Sequence, residues 1–249
     1  MIRVALSAEW TKLRTAPGTV WLLVAVVVPT IGVSAAAAAA VGCSADVCGV
    51  DPARISLTGI QLGQAAVAVL AVLMVGTEYG TGLMGVTLAA MPRRVTVLAA
   101  KAAILVAVVA PAALFAVLGC LVVGRVILPG HGIPVPLDSL SRPAAGSVLY
   151  LVAIALLGLG VAVAVRDSAT AIGVVLALLY VYPIVIRVVS DPTWLRRLER
   201  IGPTAGLAIQ ATTGLDGLAI GPWRGLGVLA GWATAALLLG ALLLHHRDA

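Results

Sequence analysis

Six stretches of the chain are almost wholly apolar, and short polar or glycine- and proline-rich segments separate them. They cover residues 18–41, 57–77, 101–123, 144–165, 169–189 and 225–244, each near the ~20 residues an α-helix needs to cross a hydrocarbon core. The pattern predicts an all-α polytopic membrane protein with six transmembrane helices. Nothing between the stretches is long enough for a second globular domain, so residues 1–249 form a single transmembrane domain.

Three polar stretches add elements to that plan. Across residues 1–17, Ile2, Leu6, Trp10 and Leu13 share one helical face, while Arg3, Lys12 and Arg14 lie mostly off it. An N-terminal interfacial helix on an anionic leaflet fits this spacing, and a positive flank that orients the first span is the alternative reading. The apolar run after it exceeds the ~7–15 residues of a signal-peptide core. Residues 78–94 contain Glu78, Tyr79, Gly80, Gly82 and Gly85 and end at Pro92, Arg93 and Arg94. They read as too polar to continue a span, yet Leu83, Met84, Val86, Leu88 and Met91 make them too apolar for a solvated loop. A short helix at the membrane face, starting at Glu78, satisfies both conditions. Residues 191–221 open with Asp191-Pro192, an N-cap and a first-turn proline. Leu195 and Leu198 then oppose Arg196, Arg197 and Arg200, Gly202-Pro203 breaks the helix, and residues 205–213 form a second one. The expectation is a re-entrant or surface-lying hairpin before the last span.

Composition sharpens the class. Apolar residues make up 61% of the chain and charged ones 10%, where soluble domains carry roughly 25% charged residues. Mean hydropathy is +1.13. The net charge of +6 raises a nucleic-acid reading, but the basic residues are scattered over short connections without interleaved aromatics. They act instead as a topology signal. Arg3, Lys12 and Arg14, with Arg93, Arg94 and Lys101 further along, favour both termini on the cytoplasmic side because early segments usually dominate. Arg187, Arg196, Arg197, Arg200 and Arg224 around the last outer segment weigh against it.

Candidate chemistry is sparse. Cys43 and Cys48 have no further Cys or His nearby to complete a metal site, so they read as a local disulfide or as two free thiols. Gln61 and Gln64 share one face of the second span. Their amides would be costly against lipid, which points to interhelical hydrogen bonding or to contact with a substrate in a water-filled path. Neither lysine comes after a glycine-rich loop, so the chain carries no P-loop, and it shows no H-E-x-x-H sequence or acid–base–nucleophile set. The expectation is a protein that is not an enzyme, has no catalytic residues and binds no metal. No acid lies in the middle of an apolar stretch, as an ion-coupled carrier would require. If the protein transports, its energy comes from elsewhere.

Four places in the chain, in order, resemble a known family. Ser7-Ala8-Glu9-Trp10-Thr11-Lys12-Leu13-Arg14 resembles an S-E-W-T-K-L-R opening with one extra alanine. Glu78-Tyr79 with Gly82 resembles an E-Y-x-x-G motif after the second span, and Pro92-Arg93-Arg94 with Ala100-Lys101 resembles the basic segment usual after that motif. Pro203-Thr204-Ala205-Gly206 resembles a motif before the last span, while Pro222-Trp223 and Arg247-Asp248-Ala249 resemble a closing pattern. Together they resemble the permease subunits of type-2 ABC transporters, mostly bacterial exporters.

That resemblance implies a permease in the bacterial plasma membrane, paired with a second permease chain as a homo- or heterodimer. It also implies two copies of a separate ATPase, which would bind ATP and Mg; the chain itself would hold no cofactor and no nucleic acid. Glu9, Trp10 and Lys12 would fall on one ATPase-coupling element, and Glu78, Tyr79, Gly82, Arg93 and Arg94 on a cytoplasmic coupling helix over residues 78–94. For Glu78 a plain helix cap, and for Arg93 and Arg94 topological anchoring, are the competing readings. Pro203 and Gly206 would belong to an outer hairpin that caps the exit path. A self-sufficient channel or secondary carrier, and a non-transporting scaffold or sensor, are the other functional readings.

Overall fold

The computed structural model describes residues 17–41, 50–83 and 94–246. Glu9, Trp10 and Lys12, the Cys43–Cys48 pair and Arg93 lie outside these residues, as does the side chain of Arg94. The helices are α1 (Pro17–Ala40), α2 (Pro52–Ser56), α3 (Ile60–Gly80), α4 (Arg94–Ile127), α5 (Ser141–Val165), α6 (Ser168–Leu176), α7 (Tyr182–Ile186), α8 (Pro192–Ile201) and α9 (Pro222–His246). Six units are long and apolar enough to cross a membrane: α1, α3, α4, α5, the continuous rod from α6 to α7, and α9.

Helix α5 is the centre of the bundle and packs against α3, α4, α6 and α9. It buries Tyr150, Leu151, Ile154, Leu157, Leu159 and Val163, while the flanking helices leave one apolar side exposed. Lipid tails are as apolar as Leu, so close packing rather than water exclusion holds such helices together, and small residues let them approach. Gly160 on α5 is closed off by main chain: a Cβ there would collide with the backbone of Ala236 and Leu237 on α9. On α9, Gly240 meets the Gly160 carbonyl and Val163 in return. Gly160→Val is therefore expected to cost about 1–3 kcal/mol by overpacking, read as a lower unfolding temperature in detergent. Gly227→Val is the matched control, because a Cβ at Gly227 meets nothing within 4 Å.

A polar thread runs through the seam between α1, α3 and α4. The Gly59 N–H donates to Ser34 Oγ at 3.0 Å, Ser34 Oγ donates to Cys120 Sγ at 3.2 Å, and the buried Cys120 thiol faces the Thr30 carbonyl at 3.7 Å. Each partner is on a different helix from the one before it. The thread thus fixes the relative height of three spans.

The structure corrects the boundaries around the Glu78–Lys101 stretch. Helix α3 continues through Gly80, and α4 already begins at Arg94. Glu78 therefore stands in the last turn of a span, not at the start of a membrane-face helix, and Lys101 lies two turns inside the next span. The charges do not end the helices because they meet: Lys101 Nζ is 2.8 Å from Glu78 Oε2, with both side chains buried. Gly82, at φ 72°, then turns the chain away after Thr81 closes the helix. The remainder of the expected membrane-face helix, residues 84–93, lies outside the described residues.

The fifth span has a local irregularity. A π-helical turn, Ala177–Val181, separates α6 from α7. Pro183 explains it, since proline has no N–H to return to the carbonyl four residues earlier and its ring crowds that turn. The widened turn absorbs the conflict. It also lets the Tyr180 hydroxyl reach the backbone of α3.

Residues 191–221 fold back against the bundle. Asp191 accepts from the Thr193 N–H at 2.7 Å and caps α8. Gly202 breaks the chain direction, and it leads into a 3-10 stretch, Pro203–Gln210, where the sequence suggested a helix over 205–213. The turn is sunk among the helices: Trp232 Nε1 donates to the Ile201 carbonyl at 2.7 Å, and Tyr182 Oη donates to the Leu198 carbonyl at 2.8 Å. Trp232 is ten residues from Pro222, roughly 15 Å along α9. Gly206 packs against the Tyr150 ring and Leu229, and Gly225 lies under the Ala205 carbonyl. Irregular backbone at this depth is tolerable because protein covers it.

Candidate functional site

Helices that alternate in direction give the bundle two ends, and polar groups collect at each. The first end carries α2, the start of α3, the end of α7 and the hairpin. There a cavity of about 750 Å³ opens between α3, the α6–α7 rod and the 3-10 stretch. Gln61, Gln64, Tyr180 and Gln210 line it, with Arg54, Arg187 and Glu199 among its charged residues.

The structure thus brings Gln61 and Gln64 to one cavity and gives them different tasks. Gln64 is 2% exposed, and its side-chain oxygen accepts from Tyr150 Oη on α5. Tyr180 Oη donates to the Gln61 carbonyl, so the π turn of the fifth span is tied to α3. The Gln61 side chain is exposed. Across the cavity the Gln210 side chain is buried, yet its amide nitrogen has no hydrogen-bond partner among the described residues. A buried donor left empty costs about 1–3 kcal/mol. A water or a ligand acceptor in the cavity relieves that cost.

Asp51 ties together the two segments next to lining residues on either side, α2 and the chain that follows Gln210. One carboxylate caps α2 by accepting from Ala53 N at 3.0 Å and also accepts from Thr212 Oγ1 at 2.6 Å and Thr213 N at 2.9 Å, as well as from Thr212 N. Burial pushes the Asp51 carboxyl up, but the hydrogen bonds from Thr212 and Thr213 outweigh it and hold the group below its ordinary 3.8. Arg142 Nη2 adds a bond to the Ala211 carbonyl. Pro203 and Gly206, expected in the hairpin, are both buried in it, at its turn and against Tyr150.

The opposite end carries the Glu78–Lys101 pair where α3 meets α4. Beside it the Arg166 guanidinium sits 5.7 Å from the centre of the Tyr79 ring and donates to the Leu243 carbonyl at 3.4 Å. Arg166 ends α5 in the left-handed region, at φ 64°, where a non-glycine residue costs about 1–2 kcal/mol. Its contacts to α3 and α9 offset that cost. Asp167 then caps α6, and hydrogen bonds from Thr170 hold its carboxyl low. Four spans meet through these side chains. Glu78 and Tyr79, expected to face a partner, are thus half or wholly buried inside the chain, and Gly82 is an exposed turn.

Sequence reasoning did not single out Tyr150, Tyr180, Gln210, Asp51 or Arg166. Asp51-Pro52 did carry a signal, the same acid–proline pair that marks the start of α8. Among the described residues no cluster of three or more His, Cys, Asp or Glu is placed to hold a metal.

Fold and site together define a multi-pass, all-helical membrane protein with a polar cavity at one end and a buried charge cluster at the other. No family model matches the chain, and no curated protein is similar enough to count as a relative.

Proposed function

We propose that the chain is the permease subunit of an ATP-driven exporter of the type-2 ABC kind. It works as a dimer in the bacterial plasma membrane, with both termini cytoplasmic and the hairpin outside. Two copies of a separate ATPase subunit bind ATP and Mg and supply the energy. The observation that carries this reading is the cavity of about 750 Å³ with the empty Gln210 donor on its wall. It is of the size small-molecule sites occupy, about 300–1,000 Å³.

The arrangement of α3 supports the same reading. This 21-residue helix is roughly 30 Å of stiff rod. Gln61 and Gln64 at one end border the cavity, while Glu78 and Tyr79 at the other belong to the E-Y-x-x-G segment. A push delivered beside Gly82 reaches the cavity through a single helix. Lys101 and Arg166 join α4, α5 and α9 to that end, so the displacement is shared by the bundle. Glu78 acts in this scheme as an internal tie, and the contact with the ATPase falls to its exposed neighbours.

The test is co-purification with an ATPase encoded beside the gene, then ATP hydrolysis in nanodiscs with and without this chain. Joint elution and a changed hydrolysis rate are expected. Failure of any ATPase to bind would return the channel and scaffold readings to the front. A variant probes the cavity: Gln61→Trp should leave ATPase binding intact while lowering substrate flux.

A further inference from the structure

We infer that α8 is a docking surface for anionic phospholipid headgroups. This does not rest on the transporter reading, because it needs only a chain set in a bilayer. Helix α8 is amphipathic but buries none of its residues. Leu195 and Leu198 are half-buried on the side that faces the bundle. Trp194 and Ile201, seven residues apart and so on one edge, remain 55% and 57% exposed. Turning past that apolar edge, the next side chains are Arg197, Arg200 and Arg196, all exposed, with Glu199 beyond them on the cavity side.

An apolar edge beside an arginine arc matches a surface whose apolar and negative layers are stacked, as in a phospholipid monolayer. Two contacts show that the arc is organised. Arg197 lies 5.3 Å from the centre of the Trp194 ring, and Arg200 Nε donates to the Ala219 carbonyl at 2.6 Å. The Arg200 bond holds the side chain by Nε, and its planar guanidinium still presents terminal N–H groups suited to phosphate oxygens. The position also fits. Helix α8 begins six residues after Ile186 ends the fifth span, and its far end is tied to Tyr182 and Trp232 within the spans. The helix therefore passes through the headgroup layer. Arg187, at the end of the fifth span, and Arg224, at the start of α9, add positive charge at this end; Asp191 and Asp216 are the acids on the neighbouring loops.

The experiment uses the full chain in nanodiscs that contain brominated phosphatidylglycerol or brominated phosphatidylcholine at equal mole fraction. Quenching of Trp194 is isolated by subtracting the signal of Trp194→Phe. Trp194 should be quenched about fivefold more strongly by the anionic lipid, as expected for basic side chains gathering it locally. The preference should vanish in R196Q/R197Q/R200Q, survive in R196K/R197K/R200K, and weaken as salt shortens the Debye length. Equal quenching by the two lipids would overturn the proposal, because the helix would then touch lipid without reading its charge. Absence of quenching by either would overturn it too, and would leave the edge covered by a second copy or another protein.

Discussion

Lys101→Met is expected to cost about 3–5 kcal/mol, because it leaves a buried carboxylate beside an apolar side chain. Lys101 is 0% exposed on α4, and its ammonium lies 2.8 Å from Glu78 in the last turn of α3. A carboxylate in that turn also faces the negative end of the helix dipole, which the ammonium offsets. In a domain of this size the loss corresponds to an unfolding temperature roughly 10 °C lower, measured on purified protein in one detergent. The double variant Glu78→Gln/Lys101→Met should recover most of it, since replacing both members of a buried pair by neutral groups is often nearly neutral. A double variant as unstable as the single one would show that packing around Lys101, and not the charge balance, holds the two helices together.

The same pair marks where the sequence stopped being readable. Hydropathy located all six spans, because a run of ~20 apolar residues has few other uses. It misplaced the ends of two of them, since Glu78 and Lys101 each look like a boundary when read alone. Only their meeting across 23 positions removes the cost of burying them, and no local pattern reports that. The cavity was partly legible. Two glutamines on one face of an apolar helix were a visible anomaly, but their partners Tyr150 and Tyr180 sit on other spans and have no signature of their own. Pro183 hinted at a disturbed helix without telling which side chain the disturbance would aim. The start of α8 lay in plain view at Asp191-Pro192. The same acid–proline pair at Asp51-Pro52 starts α2, but that helix has only five residues and no amphipathic pattern follows the pair to mark it.

Asp51→Ala is the second large effect, and it is regional where Lys101→Met is global. The substitution removes the cap of α2, for which about 1 kcal/mol is typical. It also removes charge-assisted bonds to Thr212 and Thr213, for which about 1.5–3 kcal/mol each is usual. These losses are not additive, and attachment of the hairpin should weaken by about 3 kcal/mol or more. Amide exchange over residues 203–218 should accelerate roughly a hundredfold, with much smaller changes in α5. Acid should imitate the substitution. The Asp51 carboxyl is held below 3.8 in the folded protein, so its contribution is complete above that value and disappears as pH falls through the lower, folded one. Exchange at Thr212 and Thr213 in the wild type should therefore rise over that acidic window, while Asp51→Ala, already released, should show no such step. Unchanged exchange in Asp51→Ala at neutral pH would mean that Arg142 and the packing of Ile209 against Gly146 suffice to hold the hairpin. The acid would then be a cap for α2 alone.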